Sequence, residues 1–68
     1  MERKIVSSSN IKSVGYYLGN LEIEFLNRTI YQHYNVPESL YNRLMNSNSK
    51  GTFYSQKIKN IYTYKQII

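Results

Sequence analysis

The apolar residues of this chain change their spacing once, and the change divides it into two kinds of structure. Before residue 35 they alternate with polar neighbours: Val14, Tyr16 and Leu18, then Leu21, Ile23 and Phe25, then Ile30 and Tyr34 around Gln32. A period of two predicts strands with one buried face. After Pro37 the spacing is helical, with Leu40, Tyr41, Leu44 and Met45 in one stripe and Tyr54, Ile58, Ile61 and Tyr62 in a second. Two apolar helix faces can cover one sheet face. The pattern therefore predicts an α+β fold, a three-stranded antiparallel meander followed by two helices packed on one sheet face, in the order βββαα.

Turn signals place the joints. Gly19-Asn20 suits a two-residue hairpin turn with positive φ, and Asn27-Arg28 reads as a second. Two-residue turns put Leu18 opposite Leu21, Tyr16 opposite Ile23 and Val14 opposite Phe25, then Phe25 opposite Ile30, Ile23 opposite Gln32 and Leu21 opposite Tyr34. The other face then carries Tyr17, Glu22 and His33 in one row and Gly15, Glu24 and Tyr31 in the next. A slip of one residue would exchange the two sets. Pro37 fits the first turn of the first helix, and its ring biases Val36 towards extended backbone. Ser49 is placed to cap the second helix, with Gly51 allowing the tight turn into it. Residues 1–10, with the turn-forming Ser7-Ser8-Ser9-Asn10, read as an N-terminal lead-in to a single domain over 11–68. The tail Tyr64 to Ile68 is short and apolar, suited to docking on the sheet or on another chain.

A chain of 68 residues supports one small core, marginal in isolation. It has no cysteine, which excludes a disulfide framework and a thiolate zinc site and fits a reducing cytoplasm. Eight tyrosines and two phenylalanines carry the packing, and their rings suit a core edge or an interface. No apolar run is long enough for a membrane span or a signal peptide, so the expectation is a cytoplasmic protein without a membrane partner. The net charge of +5 favours anionic partners. Its distribution says more: Glu2, Glu22, Glu24 and Glu38 all precede residue 39, whereas Arg43, Lys50, Lys57, Lys59 and Lys65 follow with no acid among them. Such a segment is either an anion footprint or a solvated face.

The run Tyr31-Gln32-His33-Tyr34-Asn35-Val36-Pro37 continues as Tyr41, Leu44, Ser49, Gly51, Phe53, Tyr54, Ile58 and Tyr62. With Ser7-Ser8-Ser9, Ser13-Val14-Gly15-Tyr16 and Leu21-x-Ile23-x-Phe25 before it, this spacing resembles the KTSC family, small domains named for the C-terminal segment of some lysyl-tRNA synthetases. The resemblance covers most of the chain and implies a KTSC-like α+β domain, for which an RNA-binding role has been suggested. The family carries Tyr-x-Tyr where this chain has Tyr31-Gln32-His33, so His33 stands in for the second tyrosine.

Exposed aromatics on a small antiparallel sheet form a platform for stacking single-stranded bases, which makes Tyr31 and His33, with Tyr17 beside them, the first candidate site. In the expected register Glu22 faces His33 and Glu24 faces Tyr31, so a cross-strand polar cluster of Tyr17, Glu22 and His33 is the competing account. The second candidate is Ser49-Lys50-Gly51-Thr52 and the basic helix behind it, where Lys50, Lys57 and Lys59 could meet phosphates and Tyr54 could stack. No P-loop spacing is present. One histidine and four glutamates make neither a nucleophile triad nor a metal cluster, so no catalytic residue, metal or cofactor is expected. The expected function is a non-enzymatic module that binds nucleic acid, RNA before DNA, through Tyr31, His33, Lys50, Tyr54, Lys57 and Lys59. The alternative is a protein-interaction module, such as a bacterial or phage-encoded inhibitor or adaptor of a nucleic-acid-processing enzyme, docking through the open sheet face or a strand edge. A homodimer could accompany either.

Overall fold

The structure, a computed structural model, describes residues 2–68. Its elements are β1 (Arg3–Ile5), β2 (Ile11–Tyr17), β3 (Asn20–Phe25), β4 (Ile30–His33), α1 (Glu38–Met45), α2 (Lys50–Lys57) and β5 (Tyr64–Gln66). The α+β class and the two helices are as expected, but the sheet has five antiparallel strands rather than three, in the order β1-β2-β3-β4-β5. The additional strands come from the segments read as lead-in and tail. Each has three residues, too few for alternation to register as a pattern.

The β2–β3 hairpin turns through Leu18 and Gly19, with φ of +48° and +87°. Two left-handed residues make a type I′ turn, whose twist matches that of its strands. Tyr17 therefore pairs with Asn20, Tyr16 with Leu21 and Val14 with Ile23, two residues away from the expected register. An even shift leaves every side chain on its expected face. Further along, the register slips between Ile11 and Ser13, with Lys12 as the extra residue of a bulge. The bulge turns Ile11 to the side of Val14, where both are fully buried.

The β3–β4 turn corrects the sequence reading more seriously. Phe25 N–H donates to the Thr29 carbonyl and Arg28 N–H to the Phe25 carbonyl, each at 2.9 Å, so the loop is Leu26-Asn27-Arg28. Arg28 closes it at φ +74°, the left-handed last position typical of three-residue loops. Asn27 Oδ1 secures the loop by accepting from the Thr29 amide at 3.1 Å and the Thr29 hydroxyl at 2.7 Å. One extra residue reverses the parity of β4. Leu21 now faces His33, Ile23 faces Tyr31, and Glu24 faces Ile30. Tyr31 and His33 thus lie on the helix-covered face, not the open one, while Ile30 and Gln32 turn away.

The core comprises Ile11, Val14, Leu21, Ile23, Val36, Leu44, Tyr54 and Ile58, and burial of each aliphatic side chain contributes about 1.5–3 kcal/mol. Pro37 sits at the N-cap of α1 in extended backbone, one position earlier than expected. Leu44 is buried, and Tyr41 stacks on Tyr16 at 4.9 Å while the Tyr16 hydroxyl donates to the Val36 carbonyl at 2.6 Å. Ser49 occupies the N-cap of α2 but makes no side-chain cap bond; its carbonyl accepts from Phe53 N–H. The helix ends at Ile58, so the stripe expected to run on through Ile61 breaks and Ile61 faces outward. Arg43 lies over the Phe53 ring at 5.4 Å, joining the helices. The tail docks on the sheet, with Tyr34 N–H donating to Thr63 and Ile67 N–H to Ile30.

The opposite face carries the row Arg3, Gly15, Glu22, Gln32 and Lys65. Glu22 is nearly buried, paired with the Arg3 guanidinium and accepting from Gln32 Nε2 at 3.3 Å. Glu24 accepts from the Ser13 hydroxyl at 2.8 Å. The expected cluster of Tyr17, Glu22 and His33 does not form, because the reversed parity of β4 puts His33 on the other side of the sheet.

Candidate nucleic-acid interface

With β4 turned inward, its aromatic residues meet α2 and β5. His33 is fully buried. Its Nδ1 lies 3.2 Å from the Tyr62 carbonyl, which can only accept, so Nδ1 carries the proton and Nε2 accepts from the Tyr54 hydroxyl at 2.8 Å. Burial holds the imidazole pKa below 6.5, opposed by the Tyr62 carbonyl bond. The Tyr54 hydroxyl is pushed well above the usual phenol range, first by burial and then by the neighbouring Tyr31 and Tyr64 phenols. Both groups are therefore uncharged at neutral pH, with the His33 Nε2 lone pair engaged by the Tyr54 hydroxyl. His33 organises the wall instead of offering a stacking surface.

Tyr31 is half-buried in this wall. Its ring stacks on Tyr64 at 5.0 Å and meets the edge of Phe25 at 5.5 Å, and Phe25 in turn contacts Tyr54 at 5.4 Å. Beside these rings opens a groove of about 470 Å³, completed by Ser9, Asn10, the β3–β4 loop, Gly51, Ser55 and Lys59. A smaller polar cavity of about 170 Å³ adjoins it, bounded by residues 8–10 and 48–52 and including Lys50 at the start of α2. The two share Ser9, Asn10 and Gly51. Gly51 forms the common wall, and a Cβ there would lie 3.0 Å from Asn10 Nδ2, so the missing side chain lets the Asn10 amide pack closely on the helix.

Of the residues expected at the site, the fold brings Tyr31, Tyr54 and Lys59 together on the groove and places Lys50 next door. His33 lies behind Tyr54, and Lys57 is exposed on α2 and lines neither cavity. Phe25 and Asn10 line the groove and were missed, as was Tyr64, which stacks on Tyr31 without lining it, since their places depend on the bulge, the turn and the docked tail. No glutamate lines either cavity. Glu22 and Glu24, expected beside His33 and Tyr31, are on the far side of the sheet.

Two helices on one side of a five-stranded antiparallel sheet define a two-layer α+β domain. A KTSC domain profile matches residues 7–62, and the chain belongs to the KTSC domain family. It is similar to the crystal structure of a KTSC domain protein from Yersinia pestis, at 38% identity and a TM-score of 0.94 over 98% of this chain and 97% of that one. No curated protein matches the chain. Among the described residues no helix is long and apolar enough to cross a membrane.

Proposed function

We propose that this KTSC domain is a small, non-enzymatic cytoplasmic module that binds single-stranded RNA. The groove beside Tyr31 carries the reading: it combines aromatic rings, one lysine, several hydroxyl and amide groups and no acid. An unpaired base stacks against the Tyr31 side of the groove, Lys59 meets its phosphate, and the next phosphate lies towards Lys50 and Thr52 in the adjoining cavity. The hydroxyl and amide groups of Ser9, Asn10, Thr29 and Ser55 can hydrogen-bond a 2′-hydroxyl, which favours RNA over DNA. Lys57 adds to the long-range field.

Fluorescence anisotropy with a labelled twelve-nucleotide RNA, across a salt series, tests this. Affinity should fall as salt rises, and Lys59→Ala should reduce the slope by about 0.7, the value for one phosphate contact on a single strand. Tyr31→Leu should weaken binding by about 1–3 kcal/mol, the worth of one base stack, with the salt slope unchanged. Absence of binding at low salt, or binding indifferent to both substitutions, would discard the reading.

A further inference from the structure

The outer edge of β5 is unpaired, and all three of its residues are exposed. Its inner pairing follows from the flanking bonds: Tyr34 N–H reaches Thr63 and Ile67 N–H reaches Ile30. Hydrogen-bonded pairs alternate along an antiparallel ladder, so Lys65 exchanges its bonds with Gln32 while the main-chain groups of Tyr64 and Gln66 point away from the sheet. Those groups are a free template for one further strand.

The side chains along this edge differ on its two faces. On the helix side Tyr64 is 51% exposed and Ile61, 64% exposed, shares a shallow cavity with it, bordered by Lys59, Asn60 and Thr63. On the other side stands Lys65, in a chain that has no acid after Glu38. A second copy fits less well: symmetric pairing of β5 centred on its middle residue would set Lys65 against Lys65. Like charges across a ladder are destabilising. We propose that the β5 edge binds an extended protein segment in which apolar residues alternate with acidic ones, the apolar side chains on Ile61 and Tyr64 and the acidic ones beside Lys65. This is strand addition, with main-chain bonds to Tyr64 and Gln66 supplying affinity and the two side-chain rows supplying specificity. This edge adjoins the Tyr31 groove at Tyr64 and Lys59, but strand addition does not depend on RNA binding there.

The test is amide hydrogen exchange by NMR on the full chain, with a ten-residue peptide alternating valine and glutamate as the probe. Exchange at Tyr64 and Gln66 should slow about tenfold near saturation, and the same peptide with lysine in place of glutamate should leave it unchanged. Lys65→Glu should reverse that preference. Gln66→Pro removes an outward N–H without removing a ladder bond, so it should abolish peptide protection while the His33 and Tyr54 resonances and any RNA affinity stay as before. Protection absent with the acidic peptide, equal with the lysine peptide, or unaffected by Gln66→Pro would overturn the proposal. Protection of the same amides by the RNA alone would overturn it too, by assigning the edge to nucleic acid.

Discussion

The two hairpins at the centre of this sheet look alike in sequence and differ by one loop residue, and that residue decides what the domain displays. Leu18-Gly19 reverses the chain in two residues and Leu26-Asn27-Arg28 in three. A register error of two residues in the first hairpin is harmless to the pattern of faces. An error of one in the second exchanges the interior and exterior of β4. With a two-residue loop Tyr31 and His33 would stand on the open face among the glutamates. With three they form the aromatic wall against α2, and the anion-repelling side chains go elsewhere. Parity of loop length thus sets the electrostatics of the site.

The most direct way to break this comparison is to make the loops equal. Deleting Asn27 should force β4 either to expose His33 and Tyr31 or to lose its pairing, at more than about 4 kcal/mol, the range reserved for disrupted buried networks. Chemical denaturation and the near-ultraviolet tyrosine signal would report it; a variant within about 1 kcal/mol of the parent would refute the parity argument.

A smaller effect should come from the inward histidine. With its folded pKa held below the unfolded value of about 6.5, the unfolded chain takes up the proton more readily. Stability is therefore full above pH 6.5 and falls as the pH drops through that value towards the folded pKa. His33→Phe should lose about 1–3 kcal/mol by leaving the Tyr54 hydroxyl without its acceptor, and should flatten the profile between pH 5.5 and 7.5, this being the only histidine in the chain. A wild-type profile already flat there would contradict an imidazole buried in its neutral form.

The smallest effect concerns the turns themselves. Leu18 and Arg28 hold left-handed backbone at φ +48° and +74°, which disfavours ordinary side chains. Leu18→Asn and Arg28→Gly should each stabilise by about 0.5–1 kcal/mol without changing register. Thermal melts would show it, and destabilisation by Leu18→Asn would mean that the leucine makes contacts its exposure conceals.

Much of the frame was legible before any coordinates. The alternation through Val14, Leu21 and Ile23 and the helical spacing of Leu44, Tyr54 and Ile58 each pointed to residues that form the core. What the pattern did not carry was phase. No glycine marks Arg28 as a left-handed position, Lys12 gives no sign of a bulge, and β1 and β5 are too short to show a period. The site suffered in proportion. Tyr31, Tyr54, Lys50 and Lys59 could be named from ring type and charge, but the groove is closed where the loop at Asn10 meets Gly51, a contact between distant parts of the chain.

β5 differs from the other strands in when it can form. β1 to β4 each pair with the strand next in the chain, whereas β5 reaches β4 across both helices. Closing that long span carries an entropic penalty that the assembled helical layer offsets, so β5 is expected to join the sheet last and leave it first. Such a departure would take Tyr64 off the Tyr31 ring while β1 to β4 keep their own pairing.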